Sequence, residues 1–163
     1  MGGGRMSKLS KDVLISMIQD GKYQEAVARI VSEDRILMPG DTLKLLAPYA
    51  KKPQEHFVVI SLDGAHKPIR TKVITVGLVN KTMVHPREVY RQAIKDNAVA
   101  VILAHNHPSG STEPSPEDID ITKRLQDAGE TIGIQVLDHV IIGKYGSYSF
   151  VEHGVMSSSR GNV

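Results

Sequence analysis

The chain has no cysteine. That excludes disulfides, thiolate metal sites and thiol nucleophiles together, and it suits a cytoplasmic protein. Tryptophan is absent and only two phenylalanines occur, so any core must be aliphatic. Long apolar runs are also missing. The longest, such as AVAVILA at 98–104, is far shorter than the roughly 20 residues a membrane-spanning helix needs. The opening MGGGRMSKLSKD lacks the apolar segment of a signal peptide, so no membrane partner is expected. Charge of one sign is scarce as well: a net +2 does not by itself imply a nucleic-acid partner. What remains is 163 residues, 40% apolar and 23% charged, which is enough for one domain with a real core.

Residues 1–8 and 155–163 are Gly/Ser-rich or polar and are expected to form disordered tails. Residues 9–50 read as a small helical segment. Leu9, Val13, Leu14, Met17 and Ile18 make one apolar stripe that ends at Gly21. Tyr23, Ala26, Val27, Ile30 and Val31 make another, and PGDTLKLLAP adds a short helix with Asp41 as its expected N-cap and Pro48 as its stop. From residue 53 the pattern alternates strands and helices. HFVVISLDG and PIRTKVITVG read as strands joined through the Asp63-Gly64 turn. HPREVYRQAIKDN reads as a helix with Pro86 in its first turn and apolar positions at Val89, Ala93 and Ile94. AVAVILA is a buried strand, SPEDIDITKRLQDAG a helix closed by Gly129, and IQVLDHVIIG and YSFVE two further strands. The expected fold class is α/β: a mixed β-sheet flanked by helices.

The stretch HNHPSGSTEPSPED, residues 105–118, carries the chemistry. His-x-His at the end of a strand puts both imidazoles on one side of it, within reach of a single ion. Ser115, Pro116 and Asp118 then fall at the N-cap, N1 and N3 positions of the next helix. A capping box would explain Ser115 and Asp118 without any chemistry. However, Asp118 precedes Ile121 and Leu125 on the inward stripe, while Asp120, Lys123 and Asp127 take the outward positions. An inward carboxylate is costly unless something pairs with it. His105, His107 and Asp118 together make a three-ligand set with an open fourth position, the catalytic form of a zinc site.

HNHPSGSTEPSPED resembles the JAMM motif of the MPN+ metalloprotease superfamily: His-x-His, seven residues, Ser, two residues, Asp. With MVHPREV, ILAHNHPSG and LDHVIIG, residues 53–154 are similar to bacterial RadC-type proteins. Asn106 stands where the protease branch commonly has Ser or Thr, and Asn is usual in the RadC-like branch. RadC-like chains often carry a helix-hairpin-helix segment before this core, and residues 9–50 lack its Gly-rich hairpin. The resemblance implies a cytidine-deaminase-like JAB/MPN fold with zinc at the sheet edge, and a catalytic Glu upstream of the first histidine. Glu55 and Glu88 are the candidates. Glu55, at the start of the first core strand, matches the motif, whereas Glu88 in a first helical turn is explained by the helix dipole.

The function implied is hydrolysis of a peptide or isopeptide bond, with Zn²⁺ on His105, His107 and Asp118, Glu55 as general base and Ser115 as oxyanion donor. The expected partner is a protein or peptide substrate, and self-association is open. Rival readings are a nucleic-acid accessory protein of DNA repair, a hydrolase of a small amide or nucleobase, and a metal-bearing interaction module without turnover. The aromatic poverty counts against the first and the missing cysteines against the second. Among other residues, His85 is expected to cap a helix, with lining the groove as its alternative. His139 is expected to be a satisfied core residue, with support of the site as its alternative, and Asp138 could orient a ligating His. Ser109 and Gly110 belong to the turn. Lys51, Lys52, Lys67, Arg70 and Lys72 are expected on the surface, where they could form a basic rim.

Overall fold

A computed structural model describes residues 35–79 and 84–157. The helical stripes expected at 9–19 and 23–32, the tail at 1–8 and residues 158–163 of the tail expected at 155–163 lie outside the described residues. The compact unit begins at Ile36. Its elements in chain order are α1 (Pro39–Leu46) with a 3-10 turn (Ala47–Tyr49), β1 (His56–Leu62), β2 (Pro68–Val76), α2 (Pro86–Lys95), β3 (Ala100–Asn106), α3 (Pro116–Ile132), β4 (Gln135–Ile142) and β5 (Ser147–Ser149).

The five strands form one mixed sheet in the order β2-β1-β3-β4-β5. β1 pairs antiparallel with β2 and β3, β3 runs parallel to β4, and β5 turns back on β4. The parallel β3–β4 pair needs a crossover, and α3 supplies it. β1 and β3 are buried almost throughout, so they read as apolar runs rather than as alternating ones. Period-2 geometry still sorts their side chains. Phe57, Val59, Val101 and Leu103 pack with α2 and α3 through Val89, Tyr90, Ala93, Ile121 and Leu125. Val58, Ile60, Leu62, Ile102 and Ala104 face the other side, where Ile36 and Leu46 join them. Each fully buried Leu or Ile here is worth about 2–5 kcal/mol against alanine.

Four expectations shift. Asp41 is not the N-cap of α1: Met38 holds that place in an extended conformation, and Asp41 sits at N3 with its carboxylate reaching back to the amides of Leu37 (2.9 Å) and Met38 (3.0 Å). Those two amides hold the Asp41 carboxyl below the usual aspartate range. Gly129 does not close α3. The helix runs to Ile132 and ends at Gly133, whose φ of 75° is the left-handed cap conformation. Gly129 is instead a close-approach glycine, because a Cβ there would lie 2.4 Å from both the Ile134 carbonyl and the Tyr90 hydroxyl. Ile94 is 59% exposed, and Tyr90 takes the inward position beside Val89 and Ala93. Finally, α1 and Met156 belong to the core: Leu46 is fully buried and Met156 nearly so. The packed unit therefore extends beyond 53–154 at both ends.

Along β3–β4 the register slips by one residue. Val101 pairs with Val136, but Ile102 pairs with Asp138, leaving Leu137 as the extra residue. Beyond the slip, His139 and Ile141 share the α2/α3 side with Leu103 and His105, and Asp138 turns to the α1 side. Among the described residues no helix is long and apolar enough to cross a membrane.

Candidate metal centre

The site forms where β3 ends and α3 begins, outside the carboxyl ends of the parallel strand pair. His105 is the last-but-one residue of β3 and is buried, whereas His107, one step past the strand, is partly open. The backbone of His107 is still held at the sheet, its amide donating to the Ile142 carbonyl (2.9 Å). The turn that follows closes with the Gly110 amide donating to the His107 carbonyl (3.0 Å), and Gly110 takes a φ of 90°. Gly143 lets this connector lie against the end of β4, because a Cβ at 143 would stand 2.7 Å from the Gly110 carbonyl.

Ser115 caps α3. Its hydroxyl accepts from the Asp118 amide (3.1 Å), and its own amide donates to Asp118 Oδ2 (2.8 Å). The capping-box explanation of these residues is therefore correct, and it does not exhaust them. The other side of the Asp118 carboxylate meets the histidines: Oδ1 lies 3.1 Å from His105 Nε2, and Oδ2 lies 3.4 Å from His107 Nε2. The two Nε2 atoms are 3.0 Å apart. One ligand atom from each of the three residues lies within 4.8 Å of the others, so the buried group can hold a metal ion.

The donor chemistry agrees with that geometry. His107 Nδ1 lies 2.8 Å from the Ser111 carbonyl, which can only accept, so the neutral ring carries its proton on Nδ1. Its Nε2 lone pair then points at another imidazole nitrogen and a carboxylate oxygen. His107 Nε2 and Asp118 Oδ2 are thus two acceptors side by side, which a proton or a metal ion can satisfy together. Burial would raise the Asp118 carboxyl, but contacts from His105 and His107 and the Ser115 amide outweigh it and hold the acid well below the usual carboxylate range. The hydrogen bond to Asp118 raises His107 above the ordinary histidine value.

Glu55, His107, Ser115 and Asp118 line one open groove, together with Leu78 and Val79. Glu55 Oε2 accepts from the Val79 amide (2.6 Å). Glu88 sits instead in the first turn of α2, near Arg87 (3.4 Å) and Arg91 (3.8 Å). Ser109 also lines the groove. His85 caps α2, its Nδ1 accepting from the Arg87 amide (3.2 Å). Asp138 does not reach a ligating ring. Its carboxylate accepts from the Ser149 hydroxyl (2.6 Å) and the amides of His139 (2.7 Å) and Val151 (3.1 Å). Of the basic positions, Arg70 pairs with Asp96 (2.9 Å) and Lys72 reaches Gln92 (3.1 Å).

Sequence reasoning missed Asn106 as a structural device. Its side chain is fully buried on the face opposite His105. Oδ1 accepts from the His56 amide (2.7 Å), and Nδ2 donates to the carbonyls of Lys52 (3.2 Å) and Gln54 (3.0 Å). It staples the segment that carries Glu55 to the strand that carries His105. Its place between the two histidines and the Asn usual in RadC-like chains were signals, but neither pointed to these partners. His139 is fully buried between Phe57 and Phe150, with Nε2 2.8 Å from His105 Nδ1 and Nδ1 2.6 Å from the Thr122 hydroxyl. Burial first, then the neighbouring His105 charge, lowers its pKa well below the ordinary value.

The mixed five-stranded sheet flanked by helices is an α/β fold consistent with a JAB-type domain. The RadC-like JAB domain profile matches residues 36–155, and the chain belongs to that family. The chain is 54% identical over 103 residues to a UPF0758 protein of Pelobacter propionicus, covering 63% of this chain and 45% of that one. A UPF0758 protein of Rubrobacter xylanophilus is 46% identical over 132 residues (80% and 58%), and one of Alkaliphilus metalliredigens is 44% identical over 146 residues (88% and 62%). The chain thus spans about half the length of the curated relatives it matches, and their names state no activity.

Proposed function

We propose that this chain is a zinc-dependent hydrolase of peptide or isopeptide bonds. The observation that carries this reading is the convergence of His105, His107 and Asp118, whose ligand atoms all lie within 4.8 Å of one another. Two imidazoles and one carboxylate leave a coordination position for water, as catalytic zinc sites do. Zinc held by His105, His107 and Asp118 would supply Lewis acidity and lower the pKa of water toward about 7. Glu55 holds the proton side of the reaction. One of its oxygens is anchored by the Val79 amide, and the other takes the proton of the attacking water and later delivers it to the leaving amine. Ser115 spends an oxygen lone pair on the Asp118 amide but keeps its hydroxyl proton. That proton is donated to the carbonyl oxygen of the scissile bond as negative charge builds there. The groove is open and lies beside Leu78 and Val79, just past the end of edge strand β2, which suits an extended chain as substrate.

The test pairs elemental analysis with a panel of amide and isopeptide peptides. Glu55→Gln is expected to keep one zinc per chain while turnover falls about 10²–10⁴-fold. Full turnover in Glu55→Gln would show that another group is the base. A zinc-loaded wild-type chain that cleaves no member of the panel, yet binds nucleic acid with an affinity that falls steeply with salt, would replace this reading with the accessory-protein one.

A further inference from the structure

A histidine binds a metal through a ring nitrogen that carries a lone pair, so each ligand needs its proton on the other nitrogen. For His107 the Ser111 carbonyl settles that. For His105 the partner of Nδ1 is another histidine, which can either donate or accept. The direction of that contact must therefore be set further away.

The setting comes from α3. The Asp118 carbonyl oxygen can only accept, and the Thr122 hydroxyl lies 2.6 Å from it, so the single hydroxyl proton points there. The same hydroxyl oxygen lies 2.6 Å from His139 Nδ1 and has only lone pairs left to offer. His139 must then carry its proton on Nδ1, leaving Nε2 as an acceptor. His139 Nε2 is 2.8 Å from His105 Nδ1, so His105 supplies the proton of that bond. The lone pair of His105 is thereby assigned to Nε2, which faces Asp118 at 3.1 Å and His107 at 3.0 Å.

The chain cannot run the other way without a penalty. If His139 donated through Nε2, its Nδ1 would need the Thr122 proton, and the Thr122 and Asp118 oxygens would face each other at 2.6 Å with no hydrogen between them. Nor does a doubly protonated His139 fit, because the ring is fully buried between Phe57 and Phe150. A buried cation needs an anionic partner, and the hydrogen-bonding contacts of this ring are a hydroxyl and an imidazole.

We infer that Thr122 and His139 are positioning residues that hold His105 in its Nδ1–H tautomer, so that Nε2 is ready to bind a metal ion before one arrives. The relay begins at the backbone of Asp118 and ends opposite its side chain. It therefore ties the strand ligand and the helix ligand into one closed circuit. The purpose of the relay rests on the proposed metal centre, but its hydrogen-bond direction does not.

The experiment uses the full metal-free chain, labelled with ¹⁵N, at a pH where the site histidines are neutral. Imidazole nitrogen shifts report which ring nitrogen carries the proton. In the wild type, and in Thr122→Ser, the proton of His105 is expected on Nδ1. In Thr122→Val the hydroxyl is gone, His139 no longer has an acceptor for Nδ1–H, and the His105 proton is expected to move to Nε2. Zinc affinity, measured by competition with a chromogenic chelator, is expected to fall about 10- to 100-fold in Thr122→Val and to stay near wild type in Thr122→Ser. His139→Gln can still accept from His105 through its amide oxygen and is expected to bind zinc more tightly than His139→Leu. A wild-type His105 protonated on Nε2 would overturn the inference without any variant. So would a Thr122→Val chain with the wild-type tautomer and wild-type zinc affinity. If the wild type shows the Nδ1 proton but binds no zinc, the relay stands and the hydrolase reading fails.

Discussion

Asp118 and Asp138 are both buried carboxylates, 2% and 5% exposed, placed on opposite sides of one sheet. They are served by different kinds of partner. Every contact of Asp138 is a fixed donor: a hydroxyl from Ser149 and two backbone amides. That carboxylate closes off a corner of the fold where β5 returns on β4. Burial nevertheless pushes its pKa up, because three neutral donors do not fully replace water. Asp118 has one fixed donor, the Ser115 amide, and then faces two imidazole nitrogens. Those imidazoles pull its pKa down only insofar as they are protonated. One aspartate is finished by the chain; the other is left facing imidazoles, in a group that could hold a cation. Burial alone does not distinguish a structural acid from a ligand, whereas the protonation state forced on its neighbours does.

The same substitution at both positions is expected to separate the two aspartates most. Asp118→Asn puts an amide NH₂ or a neutral oxygen among the lone pairs and is expected to weaken zinc binding by more than about 100-fold, since partners outside the ligand sphere alone are worth about 10–100-fold. Asp138→Asn is expected to leave zinc affinity unchanged, because its amide oxygen can keep both backbone donors and its NH₂ can donate to Ser149. Asp138→Ala strands those donors and is expected to cost about 2–3 kcal/mol in chemical denaturation, again with zinc binding intact. Equal loss of zinc in the Asp118 and Asp138 variants would show that the two carboxylates do not differ in role.

Gly129→Ala is expected to displace the helix that carries Asp118 and leave the strand that carries Asp138 in place. The added methyl would collide with the Ile134 backbone, which cannot yield as a flexible side chain does. A destabilisation of about 1–3 kcal/mol is expected. Because α3 carries Asp118 and Thr122 while Asp138 sits on β4, the displacement is also expected to lower zinc affinity, read by the same chelator competition.

The smallest expected effect is on pH dependence. His107 has a folded pKa raised by its hydrogen bond to Asp118. In the metal-free chain, its stabilising contribution is complete below the unfolded value of about 6.5 and is lost as pH rises through the higher folded value. The melting temperature of the metal-free chain is therefore expected to fall across that interval. With zinc bound, His107 is deprotonated throughout and the trend is expected to reverse, because protons compete with the metal for the ring. Thermal unfolding with and without zinc, over about pH 6 to about pH 9, reads the two slopes.

The residues that converge were legible because their relations are local. His-x-His is a statement about a strand's period, and Ser-Pro-x-Asp is one about a helix's first turn. The inward stripe of Asp118, Ile121 and Leu125 holds within a single helix. Misreadings came where two local explanations compete. Gly129 looks like a helix stop because glycine usually is one, but here its missing side chain makes room for Tyr90 and Ile134. Asp41 looks like an N-cap, yet the same carboxylate three residues into the helix serves the same amides from the other direction.

His139 shows where local reasoning ends. Strict alternation along β4 from Val136 would place Asp138, not His139, on the side of His105. The one-residue slip at Leu137 reverses that, and it arises from how β4 pairs with β3, not from any turn or glycine within β4. Asn106 is similar, since its partners at 52–56 are about fifty residues away along the chain. The amino-acid sequence alone determined the elements, the ligand types and the spacing that lets a strand end and a helix start offer them together, because each of these depends on neighbours a few residues apart. Which way the protons point is set by the packed fold, because a hydrogen-bond chain running from Asp118 through Thr122 and His139 to His105 exists only once helix and sheet have closed on each other.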